Sequence, residues 1–219
     1  MARAAQATGK RAASPRTPKD PSVSAIIGRF KESGGLIQWA WRQGLDGKNL
    51  HDRGAITVGR LVEQMIQDEL LGTSTPLPES SSPREVQLAL NCMPAFRSWR
   101  DRHQLRVLVT QVSLRSAAHR FTGRPDAVVV LDDVVTIVDW KATGGIYLDQ
   151  LLQIAAYKLL VEEQTEWSQV GGGALIRIDK DTGEIDPHTW DAGVLKEAAE
   201  MFLVLRRAFD FDRKLKAVI

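Results

Sequence analysis

The stretch whose reading decides the fold is residues 121–157, FTGRPDAVVVLDDVVTIVDWKATGGIYLDQLLQIAAY. Two apolar runs rich in β-branched residues, Ala127 to Leu131 and Val134 to Val138, flank Asp132-Asp133, a pair of turn formers. The pattern predicts a β-hairpin followed by a loop and a helix. If the turn closes symmetrically about residues 132 and 133, Leu131 faces Val134 and Asp126 faces Asp139. Cross-strand partners hold their Cβ atoms roughly 4.5–5.5 Å apart on one side of the sheet, and the period of two puts Lys141 on that side as well. A slip of one residue would separate the three groups.

Two carboxylates that close repel each other, and both stay ionised only with a cation nearby. A hard divalent ion such as Mg²⁺ or Mn²⁺ suits such oxygen ligands and activates water, while Lys141 could orient that water or stabilise a phosphoryl oxygen. The plain alternative is a structural Asp139–Lys141 ion pair at a strand end. Asp126 weighs against it, since one Lys cannot neutralise two acids.

Gly123 to Asp126, Asp139-Trp140-Lys141, and Gln153 to Tyr157 on the following helix resemble the ordered motifs of the PD-(D/E)XK nuclease superfamily in its RecB-like branch, including stand-alone phage and prophage exonucleases. The resemblance implies an α/β fold with a mixed central β-sheet flanked by helices, a restriction-endonuclease-like core preceded by a helical elaboration. It implies a Mg²⁺- or Mn²⁺-dependent deoxyribonuclease acting on DNA, with Asp126, Asp139 and Lys141 catalytic. Asp126, Asp139 and the Trp140 carbonyl would hold the metal; Gln153 and Tyr157 would support the site and contact the strand. The branch usually carries a metal-binding His on an early helix and a Glu about fifteen residues before the first Asp. Gly59 and Gln111 stand at those positions here. Glu63, four residues beyond Gly59, could approach the metal site; the plain alternative is a solvent-facing Glu.

At 219 residues, 43% apolar and 26% charged, the chain has the length and composition of one globular domain. Cys92 is the only cysteine, which excludes an intramolecular disulfide and a four-cysteine iron–sulfur cluster. No apolar run approaches the roughly 18 residues that span a membrane. These features point to the reducing cytoplasm, of a bacterial host or phage-infected cell given the resemblance. Residues 1–21 read as a disordered basic tail: five basic residues against Asp20 alone give it +4 and leave the rest of the chain near −2. Residues 22–219 form the expected single nuclease-like domain, with 22–104 mainly helical and 105–219 the sheet-and-helix core.

Within it, helices are expected at 22–31, 35–42, 53–71, 82–103, 147–163 and 192–209. Ser82-Pro83-Arg84-Glu85 is a capping box, and Pro94 predicts a kink or break near Asn91. Residues 107–114 should form the strand beside the hairpin; 174–178 and 184–186 should flank Asp181-Thr-Gly183 as a second hairpin. Trp39 and Trp41 read first as packing residues, with base stacking as the alternative. His51, His103, His119 and His188 lack metal-ligand spacing. Neither a Walker A sequence nor a Gly-x-Ser-x-Gly elbow occurs.

Seven arginines from Arg97 to Arg124, against Asp101, give +6 over 28 residues. Arg115, Arg120 and Arg124 lead into Asp126 and are candidates for phosphate contact. The reading is thus a metal-dependent DNA nuclease, exonucleolytic by resemblance. Gly59 and Gln111 motivate a second: a catalytically weakened nuclease fold serving as a DNA-binding or protein-interaction module. A third has a partner subunit in an oligomer donating the missing His or Glu.

Overall fold

A computed structural model describes residues 19–31, 34–45, 47, 54–142 and 145–219. The expected hairpin is β4 (Ala127–Leu131) and β5 (Val134–Lys141), paired in the predicted register from Leu131↔Val134 to Ala127↔Val138. Asp132 (φ 47°) and Asp133 (φ 66°) both take the left-handed conformation that a two-residue type I′ turn requires. β1 (Leu105–Thr110) lies antiparallel to β4, and β6 (Gly172–Ile178) lies parallel to β5 after the crossover through α5 (Leu148–Gln164). β7 (Ile185–Asp191) closes the order β1-β4-β5-β6-β7 as an antiparallel edge strand, where the missing N–H of Pro187 is tolerated. The sheet is therefore mixed, as expected.

Strand alternation sends the two sheet faces to two cores. Val128, Ile137 and Leu175 pack with α1 (Val23–Phe30), α5 and α6 (Ala192–Lys216). Ala127, Val129, Val138, Trp140 and Ile176 pack with α3 (Gly54–Leu71) and α4 (Pro83–Arg100), where Trp140 stacks edge-on against Phe96 and Trp99. A ribbon of β2 (Leu114–Ser116) and β3 (Phe121–Gly123) joins the first core. The segment before α1 is tied to that ribbon, with Thr122 N donating to Pro21 O at 2.9 Å. Residues 1–18 lie outside the described residues, and so does most of the expected tail. Among the described residues no helix is long and apolar enough to cross a membrane.

Several expectations are corrected. Residues 107–114 are not one strand: β1 stops at Thr110 because Gln111 turns left-handed (φ 50°), and Leu114 starts the separate ribbon. α4 runs unbroken through Pro94, because Pro94 and the residue whose carbonyl it orphans, Leu90, lie on the exposed face and water can satisfy that group. It stops at Arg100 rather than near His103, and buries Ala89 and Cys92 while Leu90 is exposed. Ser82 caps it through the predicted box, accepting from Glu85 N while Glu85 accepts from Ser82 N. β7 continues past Asp186 to Asp191, and α6 extends from the expected Phe209 to Lys216. Ile56, Leu71 and Leu148, apolar residues within the helix ranges read from the sequence, are exposed. α2 (Gly34–Leu45) holds Trp41 71% exposed, so Trp41 is no packing residue; the Trp39 side chain lies outside the described residues, as does His51.

Candidate active site

Pleat parity brings the acids together. Asp139 and Lys141 share the face of Ile137, and Asp126, one residue before β4, shares the face of Val128 across the hairpin. Asp139 is buried at 1% exposure. Lys141 Nζ lies 2.6 Å from Asp139 Oδ2, a close ion pair without hydrogen-bond directionality, while Asp139 Oδ1 has no hydrogen-bond partner among the described residues. Asp126 Oδ2 accepts from Trp140 N at 3.1 Å. The N–H and C=O of one strand residue point the same way, so the Trp140 carbonyl also faces the space where β4 has ended.

Two groups reach this spot from outside the hairpin. Glu63 comes from α3, and Gln111 from the left-handed turn after β1. The Gln111 amide donates to Glu63 Oε1 at 2.8 Å and to Asp126 Oδ1 at 3.2 Å, while Gln111 N donates to Asp126 O at 3.1 Å. The turn at Gln111 thus aims its amide between two acids. Gly59, one helical turn before Glu63, brings no ligand, and a Cβ there would meet nothing within 4 Å.

Charge crowding follows from this placement. Burial, then the neighbouring Asp139, pushes the Asp126 carboxyl up to about 6. Burial, then Asp126, raises Glu63, and burial raises Asp139 despite the Lys141 ammonium. For Lys141, burial opposes charge, but Asp139, Asp126 and Glu63 outweigh it and raise the amine, which stays protonated at neutral pH.

α5 supports the cluster on the same face. Gln153 Nε2 donates to Tyr157 Oη at 2.8 Å, and burial lifts the Tyr157 phenol to about 12. Gly123 lies against that ring: a Cβ there would meet Tyr157 Cε1 at 2.8 Å and Leu160 Cδ1 at 2.6 Å. The arginines do not form one patch. Arg97 and Arg100 pair with Glu69, and Arg115 and Arg120 clamp Asp20. Arg124 instead lines a polar cavity of about 600 Å³ with Glu63, Gln111 and Arg60. Arg60 was missed in the sequence; its signal is the three-residue spacing to Glu63, which places both on one helix face.

The model of the PD-(D/E)XK nuclease superfamily matches residues 36–214. The chain belongs to this superfamily. The sequence departs from the RecB-like branch pattern at Gly59 and Gln111, and the structure brings Asp126, Asp139 and Lys141 to one face, with Tyr157 bonded to Gln153 and lying against Gly123. Among solved structures, the chain is similar to an inferred exonuclease from Eubacterium rectale, at 14% identity and TM-score 0.47, covering 76% of this chain and 73% of that one. It is similar also to the alkaline exonuclease LHK-Exo from Laribacter hongkongensis, at 10% identity and TM-score 0.34, covering 91% and 93%. No curated protein matches the chain.

Members of this superfamily generally use divalent metals. Among the described residues no trio of His, Cys, Asp or Glu is arranged as a ready-made metal cage. The donor set nevertheless fits a hard cation. It consists of carboxylate oxygens, and one of them, Asp139 Oδ1, is buried and unpartnered. An orphaned anionic oxygen in the interior is a group that a cation would complete. The Lys141 ammonium pairs with Asp139, and the Gln111 amide with Asp126 and Glu63.

Proposed function

We propose that the protein is a Mg²⁺- or Mn²⁺-dependent deoxyribonuclease, exonucleolytic in mode, that hydrolyses phosphodiester bonds. The observation that carries this reading is the buried Asp139, with Oδ1 unpartnered and Lys141 at 2.6 Å, on the face it shares with Asp126. Asp126, Asp139 and the Trp140 carbonyl would hold the metal, with Glu63 reaching in from α3. Bound there, the ion would supply Lewis-acid polarisation of a phosphoryl oxygen and a water of lowered pKa. Lys141, kept protonated by three carboxylates, acts as a fixed cation beside the developing phosphoryl charge rather than as a general base. Gln153 and Tyr157 steady the strand at the site, and Arg124 and Arg60 meet its phosphates along the adjoining cavity. Arg115 and Arg120 would contribute phosphate contacts by exchanging Asp20 for the nucleic acid.

We further propose that residues 22–219 act as one nuclease-like domain on DNA in the cytoplasm. The test is incubation of the purified protein with end-labelled linear and closed circular DNA, in Mg²⁺, Mn²⁺ or chelator. The reading expects loss of linear DNA only, and only with metal. Cleavage of the circle would replace exonuclease by endonuclease, and no product with either metal would remove the activity.

One observation favours a second reading, a nuclease fold that grips DNA without cutting it: the Gln111 amide bonds both Glu63 and Asp126 where the branch usually has a carboxylate. That reading expects DNA binding that persists in EDTA and no product on any substrate.

A further inference from the structure

The outer face of α6 carries a seam that the described residues leave uncovered. Its inner face buries Leu195, Ala198, Ala199, Phe202 and Arg206 against the core. On the opposite side, Val194, Glu197, Met201, Val204, Ala208, Phe211 and Leu215 alternate steps of three and four residues, the spacing of a two-helix seam. Met201 is 43% exposed, Val204 67%, Phe211 53% and Leu215 62%. Glu197 interrupts the stripe, and from Met201 to Leu215 its unbroken apolar part runs roughly 21 Å at 1.5 Å per residue. A continuous apolar stripe of that length on a solvent-facing helix marks an interaction surface rather than scattered exposure.

We propose that this seam is the interface of a homodimer in which α6 packs antiparallel against α6 of a second copy. Charge selects both the occupant and the direction. The edge of the stripe carries Glu200 in the first half of the helix and Lys214 in the last turn, both exposed. Apolar layers in an antiparallel pair form when Met201 faces the partner's Phe211 and Val204 faces the partner's Ala208. The same register sets Glu200 beside the partner's Lys214 twice over. A parallel pair would instead set Glu200 beside the partner's Leu205 and Lys214 beside the partner's Ile219, leaving both charges without an opposite one, and would align the two helix dipoles. Ala208 is small enough to let the helices approach near the twofold axis. Arg207 meets its own copy there; its guanidinium lies over the Phe211 ring, 5.8 Å from the centroid, with Lys214 Nζ over the same ring at 6.0 Å. The surface therefore meets itself through one apolar stripe and two Glu200–Lys214 pairs, the twofold repetition that an isologous contact requires.

The experiment is sedimentation equilibrium of the full chain over a range of micromolar concentrations, with far-UV circular dichroism confirming that each variant is folded. Wild type is expected to be a dimer, and Val204→Glu, which places a charge in the middle of the seam, a monomer. Glu200→Lys and Lys214→Glu each convert two attractive pairs into repulsive ones and should weaken the dimer about tenfold. The double variant Glu200→Lys/Lys214→Glu restores opposite charges and should return to within about twofold of wild type. A monomeric wild type, as would result if another segment of the chain covers the seam, overturns the proposal. So does a dimer that survives Val204→Glu, or a double variant no tighter than the single ones.

Discussion

The Gln111 side-chain amide donates to Glu63 Oε1 at 2.8 Å, joining α3 to the turn after β1 at the acid cluster. The bridge goes with a left-handed backbone at Gln111, φ 50°. A carboxylate here would remove the donor and add a fourth acid. Gln111→Glu is therefore expected to lower the metal-free melting temperature by several degrees at pH 8 and to widen its rise on adding Mg²⁺. Differential scanning fluorimetry in EDTA and in Mg²⁺ reads both; identical curves for variant and wild type would show that the bridge has no energetic role.

The pH dependence follows from Asp126. Its carboxyl sits near 6 in the folded chain, raised by burial and by Asp139, against about 3.9 for an unfolded Asp. A raised acid favours the folded state while protonated, so this contribution is present below about pH 4 and is lost as pH climbs through 6. Without metal, wild type should lose stability between pH 4 and 7 more steeply than Asp126→Asn. A divalent cation should flatten the wild-type curve. Parallel melting-temperature profiles for the two proteins in EDTA would contradict this.

Gly123 leaves no room for a side chain beside α5. Its Cβ would press on Tyr157 Cε1 and Leu160 Cδ1, both in the core. Gly123→Ala should destabilise the fold by about 1–3 kcal/mol, the usual cost of overpacking. Because Tyr157 is pushed as well, the loss of DNA cleavage should exceed what the unfolded fraction explains. Urea melts paired with initial rates would show this, and unaltered stability would refute the packing argument.

The hairpin was legible because β-branched runs on either side of Asp132-Asp133 leave one sensible register, and that register alone put Asp126 opposite Asp139. Lys141 followed from the pleat. The break at Gln111 was illegible, since its left-handed backbone is imposed by Glu63, 48 residues away, and by Asp126. The ribbon of β2 and β3 is too short for alternation to register, at three residues per strand. Charge misled for a similar reason: a run of arginines looks like one patch until Glu69 and Asp20, distant in sequence, are seen to pair with four of them. Exposure of Trp41 was invisible because an apolar side chain does not announce whether its helix has a neighbour.

The central claim is that Asp126, Asp139 and Lys141 act together on a phosphodiester bond. The most direct measurement is the Mg²⁺-dependent cleavage rate of end-labelled linear DNA by wild type, Lys141→Ala and Asp139→Asn, with circular dichroism confirming each fold. The expected result is that both folded variants lose at least about 100-fold in rate, the scale for removing a group that stabilises transition-state charge. Folded Lys141→Ala cutting at the wild-type rate would contradict the account.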